Sequence, residues 1–268
     1  MEDLSGDEFL ALVTGGLVAL VTWVRVVLNI NALRLRPRKL PFLDAALYGL
    51  PFVIAIALVA MLMSWADAAV RSSPTYLVFY VVLGQAWVGA ALWVFGWFGV
   101  SLRDDALERN NPAAAIALYG GCVALTFAYA GGNFGDGPGW WVVVFSAALG
   151  TLSLALLWIA FVKLTWIVDR IVIDRDVGAA LHVALLCVAW GVIAMRSAAG
   201  NWQGAVATVV DFAPGWVPML VLFTIGVLVE RYLRPLRAPG PRSRVISVVA
   251  GGLEIGGAVV WVAWRGWW

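Results

Sequence analysis

The feature that most constrains this chain is a succession of eight long, predominantly apolar runs, at residues 8–30, 43–66, 75–101, 112–131, 139–167, 177–197, 207–230 and 245–264. Each is long enough, as a helix, to cross a hydrocarbon layer about 30 Å thick, which takes about 20 residues. Lipid offers the backbone no hydrogen-bond partners, so such runs must satisfy themselves as helices. Barrel strands would be shorter and would alternate in polarity, and these runs do neither. The supply of charge agrees: with 13% charged and 63% hydrophobic residues, 268 residues cannot clothe a water-soluble surface. The expected fold class is therefore an all-α integral membrane protein of eight transmembrane helices. Its N-terminus, MEDLSGDEF, is acidic where a secretory signal would be basic, and no small-residue cleavage site follows the first run, so that run is expected to be a retained span.

The connections alternate in charge. Arg25, Arg34, Arg36, Arg38 and Lys39 flank the first connection, Arg103 and Arg109 the third, and Lys163, Arg170 and Arg175 the fifth. Arg231, Arg234, Arg237, Arg242 and Arg244 fill the seventh, whereas Arg71, Arg196 and Arg265 alone serve the opposite side. Fifteen of the 18 basic residues thus fall on one side. The positive-inside rule makes that side cytoplasmic and places both termini outside. Trp65, Trp140, Trp141, Trp202, Trp216, Trp264, Trp267 and Trp268 gather near the outer boundary, as an aromatic belt would.

Residues 103–122 (RDDALERNNPAAAIALYGGC) return after 65 positions as 168–187 (VDRIVIDRDVGAALHVALLC). In that register Asp104 falls on Asp169, Asn111 on Asp176, Ala114 and Ala115 on Ala179 and Ala180, and Cys122 on Cys187. Two helical hairpins, spans 3–4 and 5–6, therefore read as a parallel repeat, unlike the inverted repeats of many transporters. The chain divides into an N-terminal hairpin (1–74), a duplicated core (75–200) and a C-terminal hairpin (201–268), all within one transmembrane domain. A weaker match lays GGLEIGGAVVW of span eight on AALHVALLCVA of span six and sets Glu254 opposite His182.

The paired motifs, NNPAAAIALYGG followed by RDVGAALHVALL, resemble the YjfL-like inner-membrane family, domain of unknown function 350, over roughly residues 80–200. That family carries such hairpins, each second helix opening with an Asn-x-Ala-Ala type motif. This chain departs from it at Asp176, where Asn is usual, and in an extra hairpin on each side. The resemblance implies a multi-pass protein of the bacterial inner membrane and supplies no established activity; a role in envelope stress is associated with it.

Several residues are candidates for chemistry. Asn111 before Pro112, and Asp176, are suited to cap the helices they open. Placed together near a repeat axis, the same two helix starts would instead form an ion site. Glu254 lies deep in span eight with Ala250, Gly251, Gly257 and Ala258 at helical neighbour positions. A lipid-exposed carboxylate there costs at least about 2.5–3.5 kcal/mol, so it should face the bundle interior as a proton or cation site or as an interhelical hydrogen bond. His182 reads as a buried polar contact whose match to Glu254 makes the pair worth testing, and Gln85 as an interhelical hydrogen bond. The elbow charges Asp104, Asp105, Glu108, Asp169 and Asp174 read as solvated, with Arg103, Arg109 and Arg170 as available ion-pair partners, and Arg234, Arg237, Arg242 and Arg244 read as contacts for anionic lipid or a cytoplasmic protein.

No catalytic constellation, metal cluster or phosphate loop is evident, so neither an enzyme nor a cofactor is expected. The favoured reading is a channel or transporter for protons, cations or a small solute through the repeat interface. The alternative is a non-transporting scaffold or envelope-stress component that binds lipid or a partner through its basic loops. Membrane lipids, a homo-oligomer (a dimer first) and a cytoplasmic protein are the expected partners, with no nucleic acid.

Overall fold

The computed structural model describes residues 4–33, 41–233 and 241–266, and every described element is helical. Among them, eight helices are long and apolar enough to cross a membrane, at Gly6–Ala32, Ala45–Trp65, Pro74–Phe98, Pro112–Gly131, Trp140–Thr165, Val177–Ala198, Ala205–Leu233 and Arg244–Arg265. They coincide with the apolar runs to within a few residues.

Local chemistry sets the helix starts. At α1 (Gly6–Leu33), Ser5 and Glu8 form a reciprocal cap, with the Ser5 amide donating to Glu8 Oε2 at 2.8 Å. After α2 (Pro41–Trp65) and the short α3 (Ala68–Ser72), Ser73 caps α4 (Pro74–Phe95), whose first residue is a proline with no N–H to lose. Asn111 and Asp176 cap α5 (Pro112–Gly131) and α8 (Val177–Ala198), as expected. Between them run α6 (Trp140–Thr165) and the short α7 (Ile167–Val172), separated by Trp166 in a left-handed conformation.

Three features went unread in the sequence. Leu102–Glu108 is a wide π-helical turn rather than an irregular loop. The fifth span ends at Thr165, and its elbow is partly helical as α7. The seventh span is broken into α9 (Ala205–Phe212) and α10 (Trp216–Leu228) by a 3-10 turn containing Pro214, and it closes in a second π turn, Val229–Leu233. The last span is α11 (Pro241–Arg265).

Helices α5 and α8 form the centre and are the most buried spans. They meet without intervening side chains. A Cβ on Gly120 would stand 2.3 Å from Ala184 Cα, one on Gly191 2.6 Å from Ala124 Cα, and one on Gly131 2.2 Å from the Met195 carbonyl oxygen. This face is sealed backbone to backbone, by the small-residue packing that lipid-embedded helices favour. The other spans surround it, with Phe52, Ile56, Leu152, Val217 and Leu253 among the large apolar side chains turned outward.

Both ends of the bundle are tied. At one, Trp140 donates to Asp7, the Gly200 amide to the Phe134 carbonyl, and Arg196 to the Gly266 carbonyl. These bonds gather the start of α1 and the end of α11 at one end, called here the terminal end. At the opposite, elbow end, Arg175 donates to the Arg109 carbonyl and Asn111 to the carbonyl of Ile171.

Candidate functional site

Four buried ionisable side chains, Arg170, His182, Glu230 and Glu254, converge on the side of α8 that faces away from α5. His182 stands on α8 between two carboxylates and is fully buried. Its Nδ1 lies 2.6 Å from Glu230 Oε1, and its Nε2 lies 3.2 Å from Glu254 Oε1. Glu230, also fully buried, sits in the π turn that ends span seven; its Oε2 accepts from Arg170 Nη1 at 2.8 Å, and its carbonyl accepts from the same nitrogen at 3.3 Å. Four side chains from α7, α8, the π turn and α11 thus form one chain: Arg170, Glu230, His182, Glu254.

Each part is placed by its sequence. Asp176 starts α8, and His182 follows 1.7 turns later on the face opposite Ala180 and Ala184. The left-handed Trp166 redirects the chain after α6, so that α7 carries Arg170 inward. The π turn holds an extra residue per turn, and such turns often carry site residues. Small residues bring α11 close: a Cβ on Gly251 would lie 2.5 Å from Leu185 Cβ, and one on Gly226 of α10 would lie 3.5 Å from Glu254 Oε1.

The bonding pattern constrains the protons. A neutral imidazole has a single N–H, yet both ring nitrogens face carboxylate oxygens. Either the ring is protonated on both nitrogens, or one carboxyl group is itself a donor. With Arg170 positive, the first arrangement pairs two cations with two carboxylates. The second pairs Arg170 with the Glu230 carboxylate and leaves neutral His182 accepting from a protonated Glu254. Both are electroneutral, the condition under which buried charge is tolerable. They differ only in which side of the 3.2 Å contact holds one proton.

Glu254 has two faces. Oε1 meets His182, while the other oxygen, Oε2, is buried and has no hydrogen-bond partner among the described residues. The residue also lines a groove of about 750 Å³ between α10 and α11, walled by Val217, Leu222, Leu253 and Trp261 and opening toward Trp264 and Arg265 at the terminal end.

The structure joins His182 to Glu254, the pair that the weak outer match had aligned, and leaves the other candidates elsewhere. Asn111 is fully buried at the elbow, accepting from the Ala113 amide at 3.0 Å and donating to the Ile171 carbonyl at 2.8 Å. Asp176 accepts from the Gly178 amide at 2.8 Å and the Ala179 amide at 3.2 Å. Neither is among the four residues of the chain. Gln85 makes the expected interhelical bond, to the Pro51 carbonyl at 2.8 Å, far from the cluster. Arg234 and Arg237 lie outside the described residues, as does the Arg242 side chain, and Arg244 is exposed at the start of span eight.

Two readings are corrected. The elbow charges are not uniformly solvated: Asp105 is buried, accepting from Arg109 at 2.9 Å and from the Ser101 amide at 2.7 Å, and Arg170 is buried against Glu230. The polar site is not between the repeated helices α5 and α8, whose contact is closed by glycine. It lies between α8 and the C-terminal hairpin. Glu230 was missed because a carboxylate at the end of an apolar run reads as a solvated boundary charge; a basic residue equally close to an elbow was the available signal.

Residues 68–198 match the model of a domain of unknown function, DUF350. This segment is similar to that family. No curated protein and no solved structure matches the chain. The matched segment contains Arg170 and His182, whereas Glu230 and Glu254 come from the hairpin that follows it. The cluster is therefore formed by the segment that matches the family model together with a part of the chain that the model does not cover.

Proposed function

We propose that this protein moves protons across the membrane through Glu254, His182 and Glu230. The observation that carries the reading is the doubly contacted imidazole: a fully buried His182 with a carboxylate oxygen at each ring nitrogen. A proton entering along the α10–α11 groove reaches Glu254, passes to His182 Nε2, and leaves from Nδ1 toward Glu230. Arg170, whose Nη1 stands 2.8 Å from Glu230 Oε2, places its positive charge at the far end of the path and marks the elbow side. Each transfer between Glu254, His182 and Glu230 keeps the four residues electroneutral, which lowers the chief barrier to moving an ion through lipid.

The setting we propose is the bacterial inner membrane, with both termini outside and the elbows in the cytoplasm. Spans 3–4 and 5–6 are taken as copies of one hairpin. The two second helices open alike, with left-handed Asn110 and Arg175 before side-chain caps at Asn111 and Asp176. The copies have diverged in chemistry, since Ala117 and Asp105 occupy the positions equivalent to His182 and Arg170. The site thus forms once, where the second copy meets the C-terminal hairpin.

The test is proton uptake into liposomes under a potassium diffusion potential, read with an internal pH dye. The wild-type chain should acidify the interior. Glu254→Gln preserves size but cannot release a proton, and should bring uptake down to that of protein-free liposomes. Unchanged uptake in the Gln variant would remove Glu254 from the path.

A further inference from the structure

The geometry points to the α10–α11 groove as a binding site for an amphiphilic ammonium ion whose N–H group donates to Glu254 Oε2. This deepens the proton-moving reading and rests on it, naming what can take the proton's place. Glu254 lines the groove and is only 2% exposed, with one carboxylate oxygen engaged by His182 and the other without a hydrogen-bond partner among the described residues. A buried acceptor left empty forfeits the hydrogen bonds it made to water, the more so when charged, so this oxygen calls for a donor. Val217, Val221, Leu222, Ile225 and Leu253 make the walls apolar, and Trp261 offers an aromatic face on the way in. A cation is attracted to such a face, and an alkyl chain to such walls. From Glu254 to Arg265 the helix rises about 16 Å, enough for a long alkyl tail to lie along it.

Charge decides between an ammonium and a neutral lipid tail. The groups facing Glu254 are His182 and Cys187 from α8, with Glu230 and Arg170 beyond the imidazole. If His182 is neutral and Glu254 ionised, these groups carry one net negative charge, which either a proton or an ammonium neutralises. The two are therefore alternatives, and binding of the ammonium displaces a proton. Arg265 at the mouth is exposed, so water and salt screen its charge from Glu254. On this account the protein exchanges protons for organic cations that enter from the lipid.

The test uses the full chain in lipid nanodiscs and three probes of equal tail length: dodecylammonium, dodecyltrimethylammonium and dodecanol. Calorimetry in buffers of different ionisation enthalpy reads affinity and proton release together. Dodecylammonium should bind with release of about one proton. Dodecyltrimethylammonium has the charge but no N–H and should bind more weakly, and dodecanol should bind at least roughly 30-fold more weakly than dodecylammonium. Glu254→Gln should abolish both the preference and the proton release. Val221→Trp, which fills the groove without touching Glu254, should abolish binding of all three. Equal affinity for dodecanol, a preference or proton release that survives Glu254→Gln, or binding that survives Val221→Trp, would overturn the proposal and leave an apolar slot for lipid tails. Proton uptake measured without any amine separates the two claims. Uptake that depends on Glu254 without ammonium binding would sink only the ammonium site. Binding with no uptake in the wild type would sink the proton path.

Discussion

Replacing Arg170 with alanine is expected to destabilise the fold far more than the loss of a surface ion pair would. Its Nη1 lies 2.8 Å from Glu230 Oε2, and the side chains of Arg170 and Glu230 are 11% and 0% exposed. Taking the charge centres as roughly 4 Å apart in an effective dielectric of about 20, the attraction is about 4 kcal/mol. Truncating one partner of a buried pair leaves the other unpaired and costs about 3–5 kcal/mol, against about 0–1 kcal/mol for a solvated pair. The size of the effect therefore distinguishes a buried charge relay from a decorated elbow. Arg170→Met with Glu230→Leu removes both charges, and its main cost is the His182 nitrogen left without an acceptor, about 1–3 kcal/mol. The double variant should accordingly be more stable than the sum of the single changes implies, with a coupling of about 3 kcal/mol. Equilibrium unfolding in mixed micelles of mild detergent and dodecyl sulfate, followed by tryptophan fluorescence across the four-member cycle, measures this. An Arg170→Ala cost within about 1 kcal/mol, or strict additivity, would refute the reasoning.

Other expectations follow from the same contacts. Gly131→Val would drive a side chain into the Met195 carbonyl, 2.2 Å from where its Cβ must stand, and should lower the thermal midpoint in detergent by more than any lipid-facing valine substitution; a neutral result would mean that α5 and α8 are not in close contact. Asn111→Ala loses a helix cap and the bond to Ile171, so it should cost about 1–3 kcal/mol in the unfolding assay while proton uptake per folded molecule is unchanged. In a chain with Cys122 and Cys187 replaced by alanine, Ser5→Cys should react with an impermeant maleimide on intact cells and Arg237→Cys only after lysis; the reverse pattern would invert the topology.

The sequence made the spans legible because each run is set against a bilayer of fixed thickness, and made the α5 and α8 starts legible because Asn-Pro and Asp at a helix opening have a local job. The breaks were hidden for the same reason: π turns at 102–108 and 229–233 keep the composition of a helix end, and nothing local marks their width. Glu254 stood out because a carboxylate amid small residues has no cheap alternative to burial. Its meeting with His182 was visible only as a faint alignment between spans six and eight. Arg170 and Glu230 could not be read as partners, since each lies where an apolar run ends and charges normally meet water. Their pairing depends on the left-handed turn at Trp166, a long-range geometric fact with no sequence marker.

The claim that protons cross through this cluster is tested most directly by the reversal potential of currents carried by the purified protein in a planar bilayer. With only a pH difference imposed across symmetric salt, a proton-selective path reverses at about 59 mV per pH unit, with the sign of the proton gradient. The wild-type chain should follow that line, and Glu254→Gln should carry no such current. A reversal potential that stays at zero as the pH difference is varied, or one that follows a salt gradient instead, would contradict the account.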